Sequence, residues 1–158
     1  MSTPTSYAYL PGEAERRWFG ETSTSFLATG ELTGGVFAMV DERAARGESV
    51  PLHRQVADVE SFYVLEGELS FFLGDDLRRA SAGSFVHVPA GEVHGFRVES
   101  ETARYLILTT PRHGDFYRAI SVPSAPDGGP PEEPFGFSRL GEIAKEYDIE
   151  VVGPLPDA

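Results

Sequence analysis

The chain has no cysteine. Disulfides, thiolate metal sites and cysteine nucleophiles are therefore excluded. Positive charge is also scarce: 13 Lys and Arg stand against 25 Asp and Glu, for a formal net charge of −12 and a pI near 4.7. Phosphate binding needs clustered cations, so nucleic acid is not an expected partner. No helix-turn-helix pattern precedes Gly47. Apolar runs never approach the ~18 residues that a membrane-crossing helix needs, and the start Met-Ser-Thr-Pro-Thr-Ser has no basic segment followed by an apolar one. The expectation is a cytoplasmic protein with no membrane partner.

At 158 residues, with 41% hydrophobic and 24% charged side chains, the chain is long enough for one domain with a substantial core. Short runs of strand-forming residues recur at even spacing: 51–55, 60–66, 69–74, 77–80, 84–88, 93–98 and 103–109. Gly67, Gly74-Asp75-Asp76, Ala82-Gly83 and Pro89-Ala90-Gly91 separate them. That rhythm predicts an all-β barrel or sandwich. Two further strands are expected over 24–29 and 35–41, so that the barrel core runs over about 24–110. Residues 1–23 read as an amino-terminal arm, with Trp18 as its anchor on the barrel. After Pro111 the character changes. Residues 112–121 suggest a short helix, 123–134 a Pro/Gly/acidic linker, and 139–147 an amphipathic helix with Ser138 as its N-cap. This helix is placed over one mouth of the barrel or against a partner subunit.

One dense set of metal-capable side chains lies in residues 47–67, and a second segment, 83–94, answers it. His53 and Gln55 are two apart in an extended segment, so both leave the same face. Glu60 follows a four-residue turn and shares a face with Phe62 and Val64. His94 shares a face with Phe96 and Val98. Two imidazoles, an amide oxygen and a carboxylate suit a divalent transition metal. Taken singly, His53 and His94 could be satisfied core histidines, and Glu60 a solvated strand-start residue; together they read as ligands, with Glu60 a ligand or a base. Gln55 is either a fourth ligand or points elsewhere, leaving three. Asp58 and Glu66 read as exposed charges. His87 reads as a packing or surface residue, and His113 as part of a helix start outside the cluster. Phe37, Phe62, Phe71, Phe96 and Tyr105 are core residues first, some of them lining an apolar pocket.

The spacing resembles the two cupin motifs. Gly47, His53, Gln55, Glu60 and Gly67 fall at the positions of Gly, His-x-His, Glu and Gly in the first; Gly83, Pro89, Gly91 and His94 match the second. Two positions depart: Gln55 replaces the second His, and Val98 the final Asn. Phe62 to Glu68, Leu108 to Pro111 and Glu146 to Pro154 further resemble the single-domain quercetin 2,3-dioxygenase-like cupins. The resemblance implies a single cupin domain over 1–158, a jelly-roll β-barrel with a short carboxy-terminal helix, and a homodimer paired through strands. It implies one divalent transition metal (nickel, manganese, iron, zinc or cobalt) on His53, Gln55, Glu60 and His94, with Glu60 also the general base. The function implied is dioxygenation of a small aromatic or polyketide-like substrate. A cyclase or isomerase of the same fold shares its first step, and a non-catalytic small-molecule-binding barrel is the reading from a different class.

Overall fold

The structure, a computed structural model, describes residues 3–157. In chain order the elements are β1 (Glu15–Phe19), β2 (Thr22–Ala28), α1 (Gly30–Thr33), β3 (Ala38–Ala45), β4 (Ser49–Gln55), β5 (Glu60–Glu66), β6 (Glu68–Leu73) and β7 (Asp76–Ser81). They continue with β8 (Phe85–Val88), β9 (His94–Val98), β10 (Thr102–Thr109), α2 (Pro111–Ala119), β11 (Val122–Pro123), a 3-10 turn (Phe137–Arg139), α3 (Leu140–Glu146) and β12 (Ile149–Gly153). The strands form two antiparallel sheets, ordered β11-β1-β2-β3-β10-β5-β8 and β12-β4-β9-β6-β7. This is the jelly-roll arrangement that regular short strands with tight turns predict.

Alternation is clean in β3, β5 and β10, while β6 buries Leu69 to Phe72 in a continuous run. In β5, Glu60, Phe62 and Val64 are buried and Tyr63 and Glu66 are exposed. In β10, Ala103, Tyr105, Ile107 and Thr109 are buried. The inward rings of Phe62, Phe71, Phe96 and Tyr105 meet edge-on or tilted, with Phe62 and Phe71 centroids 5.0 Å apart. Such pairs add to the burial energy of the rings, and truncating Phe62 would cost about 3–5 kcal/mol.

The ends of the chain differ from the sequence expectation. Residues 15–19 of the expected arm are a strand that pairs with β2 and β11. Trp18 does anchor, its indole N–H donating to Ser124 Oγ at 3.0 Å. The strand expected over 35–41 begins at Ala38, and Val36 and Phe37 are exposed rather than covered. Ser138 does not cap α3: it sits inside the 3-10 turn, which has no side-chain cap. Beyond α3 the chain adds β12, hydrogen-bonded to β4 with Val151 opposite His53. Neither terminal strand alternates cleanly, because each packs on a sheet edge that only the folded barrel supplies.

A second apolar cluster joins α2, α3 and the loop before them: Phe116, Ile120, Phe135, Ile143, Ala144 and Ile149. It covers one mouth of the barrel. Helix α2 lies close against β3, where a Cβ on Gly114 would come within 2.6 Å of Ala38 Cβ. Only glycine permits that approach, and the approach places the helix's inner face over the barrel cavity.

Candidate metal centre

His53 and Gln55 close β4, Glu60 opens β5 and His94 opens β9; all four are buried. The β4–β9 register sets His53 directly opposite His94, and the two rings lie 4.3 Å apart between centroids. One ligand atom from each of His53, Glu60 and His94 falls within 4.8 Å of the other two.

The backbone decides which nitrogens face inward. His53 Nδ1 is 2.8 Å from the Pro51 carbonyl and His94 Nδ1 is 2.9 Å from the Glu92 carbonyl. A carbonyl only accepts, so Nδ1 carries a proton in both rings, and in the neutral ring Nε2 keeps its lone pair. His94 Nε2 is buried without a hydrogen-bond partner and stands 3.5 Å from Glu60 Oε2, long for a good hydrogen bond. Imidazoles oriented by carbonyls, one of them with an unpartnered Nε2 beside a carboxylate, are a donor set that suits a divalent transition metal. The residues present fit such an ion.

The other oxygen of Glu60 is occupied. Oε1 accepts from Gln55 Nε2 at 2.5 Å and from the Tyr117 hydroxyl at 2.9 Å, and His113 Nε2 stands 2.5 Å from the same oxygen and 3.2 Å from Gln55 Nε2. Gln55 therefore lies in the cluster with its amide nitrogen turned to Glu60. His113 corrects the sequence expectation. The helix start is where it was expected, yet the ring is buried and directed into the site, its Nδ1 without a partner. Asp58 is corrected too: it is buried, and it accepts from Thr110 Oγ1 at 2.6 Å. Thr110 is the N-cap of α2 and accepts from the His113 N–H at 3.1 Å, with Pro111 as the first helical residue. Asp58 thereby fixes the cap that aims His113. Sequence did hold a signal, for His113 and Tyr117 are four apart on the helix face that also carries Phe116 and Ile120. Glu66 is exposed as expected, and His87 is a surface residue paired with Ser61 Oγ at 2.8 Å.

Electrostatics follow from this packing. Burial pushes the Glu60 carboxyl up, but the imidazoles of His113 and His94 outweigh it and hold the group well below the usual carboxylate range. For His94 the pull of burial downward is overcome by the Glu60 carboxylate, and its pKa is raised. Burial lowers that of His53, and His94 beside it lowers it further. Tyr117 is driven well above its ordinary value by burial and then by Glu60, so its hydroxyl stays a donor.

The cluster opens on a cavity of about 320 Å³ walled mainly by apolar side chains, among them Phe19, Phe96, Ile107, Phe116, Phe137 and Leu140. The cupin domain model matches residues 41–109, the stretch that contains the whole cluster except His113 and Tyr117. The uncharacterized protein SCO3923 of Streptomyces coelicolor is 30% identical over 99 residues, 63% of this chain and 89% of that protein. The chain belongs to the cupin superfamily. Quercetin 2,3-dioxygenase of Bacillus subtilis is 30% identical to this cupin over 146 residues, 90% of the chain. The chain spans 43% of that relative's length. Among solved structures, KdgF from Halomonas sp. superposes with a TM-score of 0.63 at 20% identity, covering 70% of this chain and 98% of its own. At that identity the likeness is one of fold. Among the described residues no helix is long and apolar enough to cross a membrane.

Proposed function

We propose that this cupin is a metal-dependent dioxygenase of small aromatic substrates, of the flavonol type. The observation that carries the reading is the pair of carbonyl-oriented imidazoles that turn their Nε2 atoms toward Glu60 at the edge of an apolar cavity. His53, Glu60 and His94 would hold the ion, which would make an enol or phenol oxygen of the substrate more acidic. Gln55, whose amide is donated to Glu60, is assigned to positioning that carboxylate. His113 and Tyr117 share the task, and together the three groups gathered at Oε1 leave Oε2 to face His94.

In this reading Glu60 is both ligand and general base, accepting the substrate's proton at Oε2. Its low affinity for protons limits it to an acidified oxygen, which matches an enol or phenol and not an aliphatic alcohol. Phe116, Phe137 and Leu140 give the cavity apolar walls. The similarity to quercetin 2,3-dioxygenase over 90% of the chain supports the substrate class. We also assign a homodimer: Tyr63 and Phe85, cross-strand partners on β5 and β8, expose a joined apolar patch on the outer sheet face. Light scattering would read twice the monomer mass.

The deciding experiment combines elemental analysis of protein purified without tag or chelator with oxygen uptake on quercetin. One transition metal per chain and stoichiometric oxygen consumption are expected. Metal without oxygen consumption would move the assignment to a cyclase or isomerase. No metal, even after incubation with nickel, manganese, iron, zinc and cobalt, would leave a binding barrel.

A further inference from the structure

The cavity holds a second buried carboxylate, which the metal reading does not use. In β3 the alternation Ala38, Val40, Glu42, Ala44 is an inward, apolar face interrupted by one acid. Glu42 is 8% exposed and lines the same cavity as His53 and Glu60. Its cross-strand neighbours on both sides supply hydroxyls: Thr24 Oγ1 donates to Oε1 at 3.3 Å and the Tyr105 hydroxyl to Oε2 at 2.9 Å. Among the described residues no Arg, Lys or His lies within 4.0 Å of it, since none of the ion pairs includes Glu42.

An acid buried without a cation is costly, and this one occupies a position where valine or leucine would satisfy the strand pattern. Two neutral hydroxyls fix the carboxyl's orientation and leave it its remaining hydrogen-bonding capacity. Burial, aided by the Glu60 and Asp41 carboxylates and only partly offset by the Tyr105 and Thr24 hydroxyls, raises its pKa to about 7. The group is thus donor and acceptor by turns near neutral pH. A ligand hydroxyl complements both forms, because it donates to the carboxylate and accepts from the acid.

The register separates the two carboxylates. Glu60 lies opposite Thr109 of β10 and Glu42 opposite Tyr105, four residues along the strand, or about 13 Å of backbone. The cavity between them has no Lys or Arg in its lining. Away from the cluster of His53, Glu60 and His94, a phosphate, a sulfate or a sugar acid therefore finds no lysine or arginine, and the walls are mainly apolar. A flat, uncharged molecule with oxygens at both ends suits it.

We propose that Glu42 is a specificity residue that hydrogen-bonds a hydroxyl at one end of a flat polyphenol, while an acidic oxygen at the other end reaches the cluster of His53, Glu60 and His94. The proposal rests on the flavonol reading given above and adds to it the recognition of the distal ring. Quercetin and 3-hydroxyflavone are the probes, since both carry the acidic 3-hydroxyl and only quercetin carries ring hydroxyls beyond it. Anaerobic titration calorimetry on the full chain should show quercetin bound about tenfold more tightly, one good hydrogen bond's worth. Glu42→Leu should erase that preference by weakening quercetin alone, with 3-hydroxyflavone held within about threefold. Glu42→Gln, which still donates and accepts, should keep most of it. Should Glu42→Leu fail to fold, Tyr105→Phe removes the group that orients Glu42 and should lose part of the preference in the same direction. Equal binding of the two probes by the unmodified protein, or a preference untouched by both Glu42→Leu and Tyr105→Phe, would overturn the role of Glu42 and leave the flavonol reading standing. Binding of neither probe would overturn the flavonol reading itself, and this inference with it.

Discussion

The region around Glu60 and the region around Glu42 answer the same problem in opposite ways. Both carboxyls are buried, both project from barrel strands and both line one cavity. Around Glu60 gather the Gln55 amide, the Tyr117 hydroxyl and the imidazoles of His94 and His113. There the charge is kept, as a metal ligand requires. Around Glu42 stand two hydroxyls and no cation, and the proton is held up to about pH 7. Depth of burial alone therefore does not decide the charge of an acid; the donors packed beside it do. One cavity consequently offers an anionic station at one end and a neutral, hydroxyl-binding one at the other.

The strongest blow to that contrast falls on the anionic end. His94→Ala removes an Nε2 that no protein group replaces, and metal affinity should fall on the order of 1000-fold, beyond the range for the loss of an outer partner. Elemental analysis after dialysis checks it, with circular dichroism showing the fold retained; full metal occupancy in the variant would remove His94 from the site.

The neutral end is tested by pH. Because the folded-state pKa of Glu42 is raised from 4.5 to about 7, the native state binds its proton more tightly than the unfolded chain. Stability from this group is present below pH 4.5 and is lost as pH rises toward 7. Glu42→Gln abolishes that loss. Urea unfolding at pH 5 and pH 8 should show the variant gaining on the parent by at most about 3 kcal/mol across the window. Parallel pH profiles for the two proteins would mean that Glu42 is ionised in the folded state like any surface acid. Glu60 has the opposite sign: its lowered pKa contributes stability above pH 4.5 that is lost as pH falls.

A smaller effect is expected from the groups that hold Glu60 in place. His113→Ala should weaken metal binding about 10–100-fold, as loss of an outer partner does, while His113→Asn, able to donate to Oε1, should recover part of it. Competition with a chromogenic chelator reads the affinity without any assay of turnover. If both variants bind metal like the parent, helix α2 has no part in the site. Smallest of all, Gln55→His should change affinity by less than about threefold, because an imidazole N–H takes over the bond to Glu60. Tightening of tenfold or more would instead place position 55 among the metal's ligands.

Sequence spacing alone placed most of the barrel. Each of the seven runs expected between residues 51 and 109 is a strand with boundaries shifted by at most two residues, because alternation and turn glycines are local properties of a half-buried strand. The inward faces of His53, Gln55, Glu60 and His94 were legible for the same reason. Glu42 was not legible, because the strand expected over 35–41 ended one residue before it, whereas β3 runs on to Ala45. Strand parity says which face a side chain takes and nothing about what meets it there, so the burial that raises the pKa of Glu42, and the Thr24 and Tyr105 hydroxyls that partly offset it, were not legible either.

What the chain determined by itself is therefore the β architecture, the pair of motifs and the candidate ligands His53, Gln55, Glu60 and His94, since each depends on residues a few positions apart. Tertiary structure decided the rest. Only the docking of α2 on β3, made close by Gly114, brings His113 and Tyr117 to Glu60. Only the seating of β12 on β4 brings Val151 beside His53. Buried Asp58 becomes intelligible when Thr110, 52 positions away, caps a helix against it. Contacts of that range leave no periodic trace in a sequence, because their energy comes from surfaces that exist once the barrel has closed.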